Sequence, residues 1–267
     1  FPFLASLWLL LSNSAYHFNG IKIERLVTFE AYRDFFTDPF YWDVLKRTLS
    51  LAAIATTVTT TISYPVAYAI SRLQSQRLKI LFYILIFSPL LTSIVTRAFG
   101  WMILLGGNGF INYALVQTGL VDEPVRMIYD VKGVMIAMVH IQLPFAVFPI
   151  ISVLNQMNPA IKEAASDLGG NRWDIFRRVT WPLSLPGVIV ALQITFIQTV
   201  SAFVAPSLLG GGRVLVFPRL IYDNITSLNW PMASVQAVVL LVISLTILFV
   251  SNRISLLLYQ GHKKANI

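Results

Sequence analysis

Cysteine is absent from the 267 residues, which excludes disulfide bridges, thiolate metal sites and cysteine nucleophiles. Charge is scarce too: Asp, Glu, Lys and Arg make up 12% of the chain, against about a quarter in ordinary soluble domains. Signatures of nucleotide handling and hydrolysis are also missing. No Gly-x-x-x-x-Gly-Lys-Ser/Thr occurs, and Gly210-Gly211-Gly212-Arg213 lacks the Lys-Ser/Thr that a phosphate-cradling loop needs. His17, His140 and His262 are scattered without a His-Glu-x-x-His pattern, and there is no Gly-x-Ser-x-Gly elbow. The residues therefore argue against an enzyme and against a cofactor held by this chain.

Apolar residues are plentiful. They form 56% of the sequence, mean hydropathy is +0.70, and they come in long runs rather than in period-2 or period-3.6 patterns. Such runs belong to helices surrounded by lipid or by one another. The expected fold is an all-α membrane protein with about six spans. Phe1 to Ala15 is short of the ~20 residues a bilayer requires. Without a basic leader or a small-x-small cleavage site it does not read as a signal peptide, and it is taken as the truncated end of a first span. A second span is expected at Thr48–Ile70, where abundant Ala, Thr and Ser suit close packing inside a bundle. Further spans are expected at Ile80–Ala98, interrupted by Pro89, at Val131–Leu154, at Gly187–Leu209 and at Met232–Val250. Residues 16–47 are polar, with turn signals at Asn19-Gly20 and Asp38-Pro39. The whole chain, 1–267, reads as one transmembrane domain.

Between the fourth and fifth spans lies a charged island, residues 159–182. Asn158 can cap a helix that Pro159 begins and Gly169-Gly170 ends. Asn171 can cap a second helix that Pro182 ends, giving two short helices across the membrane surface. On the first, Ala160 and Ala164, and Ala165 and Gly169, recur at the spacing that lets a helix sink into a partner groove. An amphipathic interfacial helix anchored by Trp173, Ile175, Phe176 and Trp181 is the equal alternative. The net charge of +8 carries no basic stripe with interleaved aromatics, so nucleic acid is not an expected partner. Basic residues are instead denser in the short loops on the island's side, which places the island in the cytoplasm.

The island resembles the EAA loop of bacterial ABC-transporter permeases. Glu163-Ala164-Ala165, then Gly169, then Pro182 match that family's pattern at its spacing, with Val179 and Trp181 standing where it has Ile and Leu. The likeness extends along the chain. Thr28-Phe29-Glu30-Ala31-Tyr32, Asp38-Pro39, Arg97 with Gly100, Asn108-Gly109-Phe110-Ile111-Asn112 and Asn229-Trp230-Pro231 look like the B-type subunit of the spermidine/putrescine class. The resemblance implies a type I ABC-importer permease bundle with short cytoplasmic coupling helices. It implies a multi-pass protein of the bacterial inner membrane, with island and C-terminus cytoplasmic. Glu163, Ala164, Ala165, Asp167, Leu168, Gly169 and Pro182 would contact an ATP-binding cassette dimer, which binds the ATP and Mg. A second permease subunit, expected to be a different chain, would complete the pathway. A periplasmic or lipid-anchored solute-binding protein would deliver substrate, with membrane lipid around the whole.

The residues say less about the cargo. No Asp or Glu falls inside the expected spans, although a polyamine would suit carboxylates or an aromatic cage. Pathway candidates are Arg97, Trp101, Phe203, Tyr222 and Asp223; snorkelling to the headgroups is the simpler reading of Arg97, and a place in the aromatic belt that of the rings. Amino-acid derivatives, opines, phosphonates and vitamin precursors remain as alternative cargoes. An ion-gradient-driven carrier is the alternative mechanism, but inverted repeats and intramembrane acids are missing.

Overall fold

The structure, a computed structural model, describes residues 2–18 and 23–264. The turn expected at Asn19-Gly20 lies outside the described residues. The chain opens with α1 (Pro2–Ser14), a two-stranded antiparallel ribbon of β1 (Tyr16–Phe18) and β2 (Ile23–Val27), and α2 (Glu30–Thr37). It continues through α3 (Pro39–Ser71), α4 (Gln76–Phe87), a 3-10 turn, α5 (Ile94–Leu105), α6 (Phe110–Gln117) and α7 (Val131–Gln156). After α8 (Pro159–Asp167) come α9 (Arg172–Ile175), a π-turn, α10 (Trp181–Val200), α11 (Val204–Leu209), α12 (Phe217–Thr226) and α13 (Trp230–Lys264).

Five described stretches are long and apolar enough to cross a membrane: 39–71, 94–117, 131–156, 172–200 and 230–253, with the shorter apolar Leu4–Ser14 preceding them. The helical membrane fold agrees with the sequence, and five described spans stand where about six were expected. Boundaries moved where proline acts. The run expected at 80–98 splits into α4, a 3-10 turn over Ser88–Leu91 and α5. Pro89 has no N–H for an α-helical bond, and its ring crowds the carbonyl one turn earlier. Apolar length therefore falls on 94–117 instead.

Helix starts are set by short polar side chains. Asp38 Oδ1 accepts from the Phe40 N–H at 2.8 Å ahead of Pro39, and Asn229 Oδ1 accepts from the Met232 N–H at 3.2 Å ahead of Pro231. Both are N-caps with proline in the first turn, where its missing N–H costs nothing.

The chain gathers into two compact units. One comprises Phe1–Ala52, Ala98–Met135 and Val200–Phe249; the other comprises Ala53–Arg97, Ile136–Thr199 and Val250–Ile267. The first has a core of Phe35, Val44, Leu45, Phe217 and Val235. There the Phe217 N–H donates to the Thr48 hydroxyl at 2.8 Å, and Phe35 meets Phe217 edge-on at 5.9 Å. The second is built on Tyr64, Ala67, Ile150, Ile151 and Ala191. The small-residue expectation for α3 holds: Ala55, Thr56, Thr59, Ser63 and Ala67 are buried at three- and four-residue intervals, one face of a helix.

Candidate functional site

The island begins with Asn158, whose Oδ1 accepts from the Ala160 N–H at 3.0 Å. Pro159 follows as the first residue of α8. The helix ends as its glycines dictate. Gly169 takes φ +84°, its N–H donates to Ser166 O at 2.9 Å, and the Gly170 N–H donates to Ala165 O at 3.0 Å. That bond pair is a Schellman terminus, which needs a left-handed residue in its first position past the cap. A side chain at Gly170 would press on the Ala165 carbonyl, with Cβ and O only 2.6 Å apart.

Among its own residues α8 buries nothing. Glu163, Ala164, Asp167 and Leu168 are all exposed, and Ala165 is half-buried. Ile161 is 45% exposed and Leu168 90%. With Ala164 these two fall at positions i, i+3 and i+7, so α8 presents one apolar ridge flanked by the carboxylates of Glu163 and Asp167. Lys162 sits on the less exposed side. Burial, and then the positive charge of Arg72, push its ammonium below the usual lysine range.

The second half of the island differs from expectation. Asn171 Oδ1 does cap, accepting from the Trp173 and Asp174 N–H groups at 2.9 Å each. Pro182, however, ends nothing. Residues 176–180 form a π-turn, the Trp181 N–H donates five residues back to Phe176 O, and the helix runs on as α10. The wider turn relieves the clash that Pro182 would have with the carbonyl of Arg178 in a regular α-helix. The island thus holds one free-standing short helix, and its second arm grows straight into a span.

That arm is bolted to α3. Phe176 packs edge-on against Tyr68 at 5.3 Å, Trp181 against Tyr64 at 4.8 Å, and the Tyr64 and Ser184 hydroxyls share a bond of 2.8 Å. Of the aromatics expected as lipid anchors, Phe176 and Trp181 serve this joint, while Trp173 is 64% exposed. Arg72 lies 4.8 Å from the centre of the Tyr68 ring. Edge-on rings and a shared hydroxyl bond thus tie the island's second arm to α3.

The pathway candidates separate. Phe203, Tyr222 and Asp223 come together in the first unit: the rings are 4.9 Å apart, and Asp223 is held by Arg219 at 2.9 Å. Arg219 was not anticipated; its i, i+4 spacing to Asp223 on a helix with Pro218 in its first turn was the available signal. Trp101 lies on α5, half-buried. Arg97 belongs to the second unit, where its Nε and Nη1 are buried by protein without a hydrogen-bond acceptor. A freely snorkelling side chain would keep those atoms in water. Gln193, another polar residue within a span, simply joins α10 to α13 through Ser251 at 3.2 Å. Among the described residues no cluster of His, Asp or Glu could hold a metal.

Residues 60–261 match the family model for the binding-protein-dependent transport system inner membrane component. The chain is 31% identical over 233 residues to the spermidine/putrescine transport system permease protein PotB of Haemophilus influenzae, covering 87% of this chain and 81% of that one. It is 31% identical to the Escherichia coli PotB over 222 residues, covering 83% and 80%. The molybdenum transport system permease protein ModB of Azotobacter vinelandii is 27% identical over 208 residues, covering 77% and 90%. Among solved structures, a bacterial alginate ABC transporter in complex with an alginate pentasaccharide-bound periplasmic protein superposes with TM-score 0.77 at 19% identity, over 94% of this chain and 86% of that one. At that identity the likeness speaks for the fold.

Proposed function

Since the chain belongs to the family of binding-protein-dependent transport system inner membrane components, we propose that it forms half of an import pathway for a spermidine- or putrescine-like cation, driven through α8. It is a multi-pass inner-membrane permease subunit of an ABC importer, a transport component rather than an enzyme. The chain holds no P-loop, so work must arrive from a separate subunit. The exposed ridge of Ile161, Ala164 and Leu168 carries this reading. An apolar stripe on a short solvent-facing helix asks for a cover, and burying one leucine contributes about 1.5–3 kcal/mol.

In this account α8 and the C-terminus face the cytoplasm, and α8 seats in a groove of an ATP-binding cassette dimer that holds ATP and Mg. Glu163, Ala164, Ala165, Asp167, Leu168 and Gly169 form the contact, and Pro182 sits at the joint above it. Burial holds the Lys162 ammonium below the usual lysine range, and an acidic group of that partner would favour its charged form. Closure of the dimer moves α8 as a rigid peg, and the ring joint of Tyr64, Tyr68, Phe176 and Trp181 passes the motion to α3 and α10. A second, different permease chain supplies the other half of the pathway, and a solute-binding protein loads it from outside. The polyamine assignment draws on the PotB relatives and on the aromatic–carboxylate cluster at Phe203, Tyr222 and Asp223.

The test is uptake of radiolabelled spermidine and putrescine by cells lacking other polyamine importers and expressing this permease with its ATPase, second permease and binding protein. Saturable, ATP-dependent uptake is expected. Uptake of neither amine would refute the cargo.

A further inference from the structure

Asp223 is the one carboxylate among the pathway candidates, and it is already satisfied. The Arg219 Nε lies 3.1 Å from its Oδ2 and 2.9 Å from its Oδ1. The same guanidinium stands 5.7 Å from the centre of the Tyr222 ring, and Tyr222 is backed by Phe203 at 4.9 Å. Carboxylate on one side and ring faces on another are the surroundings that bind an alkylammonium ion. We propose that Asp223, Tyr222 and Phe203 form a seat for an alkylammonium group of the transported solute, and that Arg219 is a tethered cation filling that seat until the solute displaces it. This rests on the polyamine reading above.

Exchange is easy on physical grounds. Side-chain exposure is 40% for Arg219 and 43% for Asp223, and ion pairs this open to water are weak. Tyr222 is 47% exposed, so an incoming ammonium has a route to the ring. Arg219 is one helical turn from Asp223 on α12. Once displaced it stays within reach and returns as the solute leaves. The seat therefore never holds a bare carboxylate, and it releases its cargo without a trap.

A mere helix-stabilising pair and a competitive seat predict different signs. If the pair only holds α12, removing either partner harms binding alike. If Arg219 competes, removing it helps and removing Asp223 harms. The measurement is equilibrium binding of radiolabelled spermidine to the permease pair with its ATPase in lipid nanodiscs, without the binding protein. Asp223→Asn is expected to weaken binding roughly tenfold, the scale of a lost charge-assisted bond. Asp223→Glu is expected to restore most of it, and Arg219→Gln to tighten binding roughly threefold, since an exposed pair competes only weakly. Weakening by both Arg219→Gln and Asp223→Asn, or no change in either, overturns the seat. The complete transporter serves as control. Spermidine uptake by the wild type with unaltered variants refutes only this site, whereas no uptake and no binding by the wild type refutes the polyamine reading beneath it.

Discussion

Gly211 is fixed by a neighbour rather than by a ligand. Its φ is +53°, and an added Cβ would collide with the Tyr129 ring at Cδ1. Tyr129 itself sits at φ +58° and donates its N–H to Leu209 O at 2.6 Å. Within the triple glycine, which in the sequence looks like slack after a span, Gly211 therefore leaves room for one aromatic ring. Gly211→Ala should cost about 1–3 kcal/mol through strain and overlap. In a Tyr129→Ala background the cost should shrink by at least about 0.5 kcal/mol, because the two residues touch. Thermal unfolding of the four purified proteins in detergent measures the cycle, and strict additivity would rule the contact out. Asn112 is a second case. It looks like part of a sequence signature, yet it is fully buried and bridges Gly106 O at 2.9 Å and Val125 N at 2.8 Å. Its work is to close a loop.

Proline separates the helices that could be read in advance from those that could not. Asn158-Pro159 signals a helix start and begins one, while Asp38-Pro39, read as a turn, and Asn229-Trp230-Pro231, read only as a family signature, begin helices as well. The stripe of small residues on α3 and the Gly169 terminus of α8 were equally legible, because cap chemistry and period are local. Pro89 and Pro182 were not. Whether a proline breaks a helix depends on whether the chain can widen its turn, and that is decided by packing around it. Near Pro182 the packing favours continuation: Tyr64, Phe176, Trp181 and Ser184 hold the π-turn against α3. Tyr64→Phe and Ser184→Ala should each lower stability by about 1 kcal/mol. The double variant should lose little more than either single, since one bond is shared. Denaturation of the four proteins tests this, and full additivity would show that the hydroxyls act separately. The β1–β2 ribbon escaped notice because three- and five-residue strands in a polar stretch carry too short a pattern to read.

An ABC importer divides its labour, and this chain carries the membrane share of it. Composition announces the spans, and the island is the stretch proposed above to attach the ATPase. The island's family resemblance was readable from Glu163, Ala164, Ala165, Gly169 and Pro182. Its mechanics were not, because rigidity comes from rings on α3 that lie about a hundred residues earlier. The cargo was least legible: Arg219, which neutralises Asp223, is an ordinary helix-surface arginine until α12 is seen beside Phe203. Coupling through α8 is the claim on which the rest depends. It is tested by measuring ATP hydrolysis and spermidine uptake side by side in proteoliposomes carrying the complete transporter, with Glu163→Lys and Leu168→Glu in this subunit. The prediction is loss of uptake and loss of the hydrolysis that loaded binding protein stimulates, with membrane insertion unchanged; stimulated hydrolysis and normal uptake in both variants would contradict it.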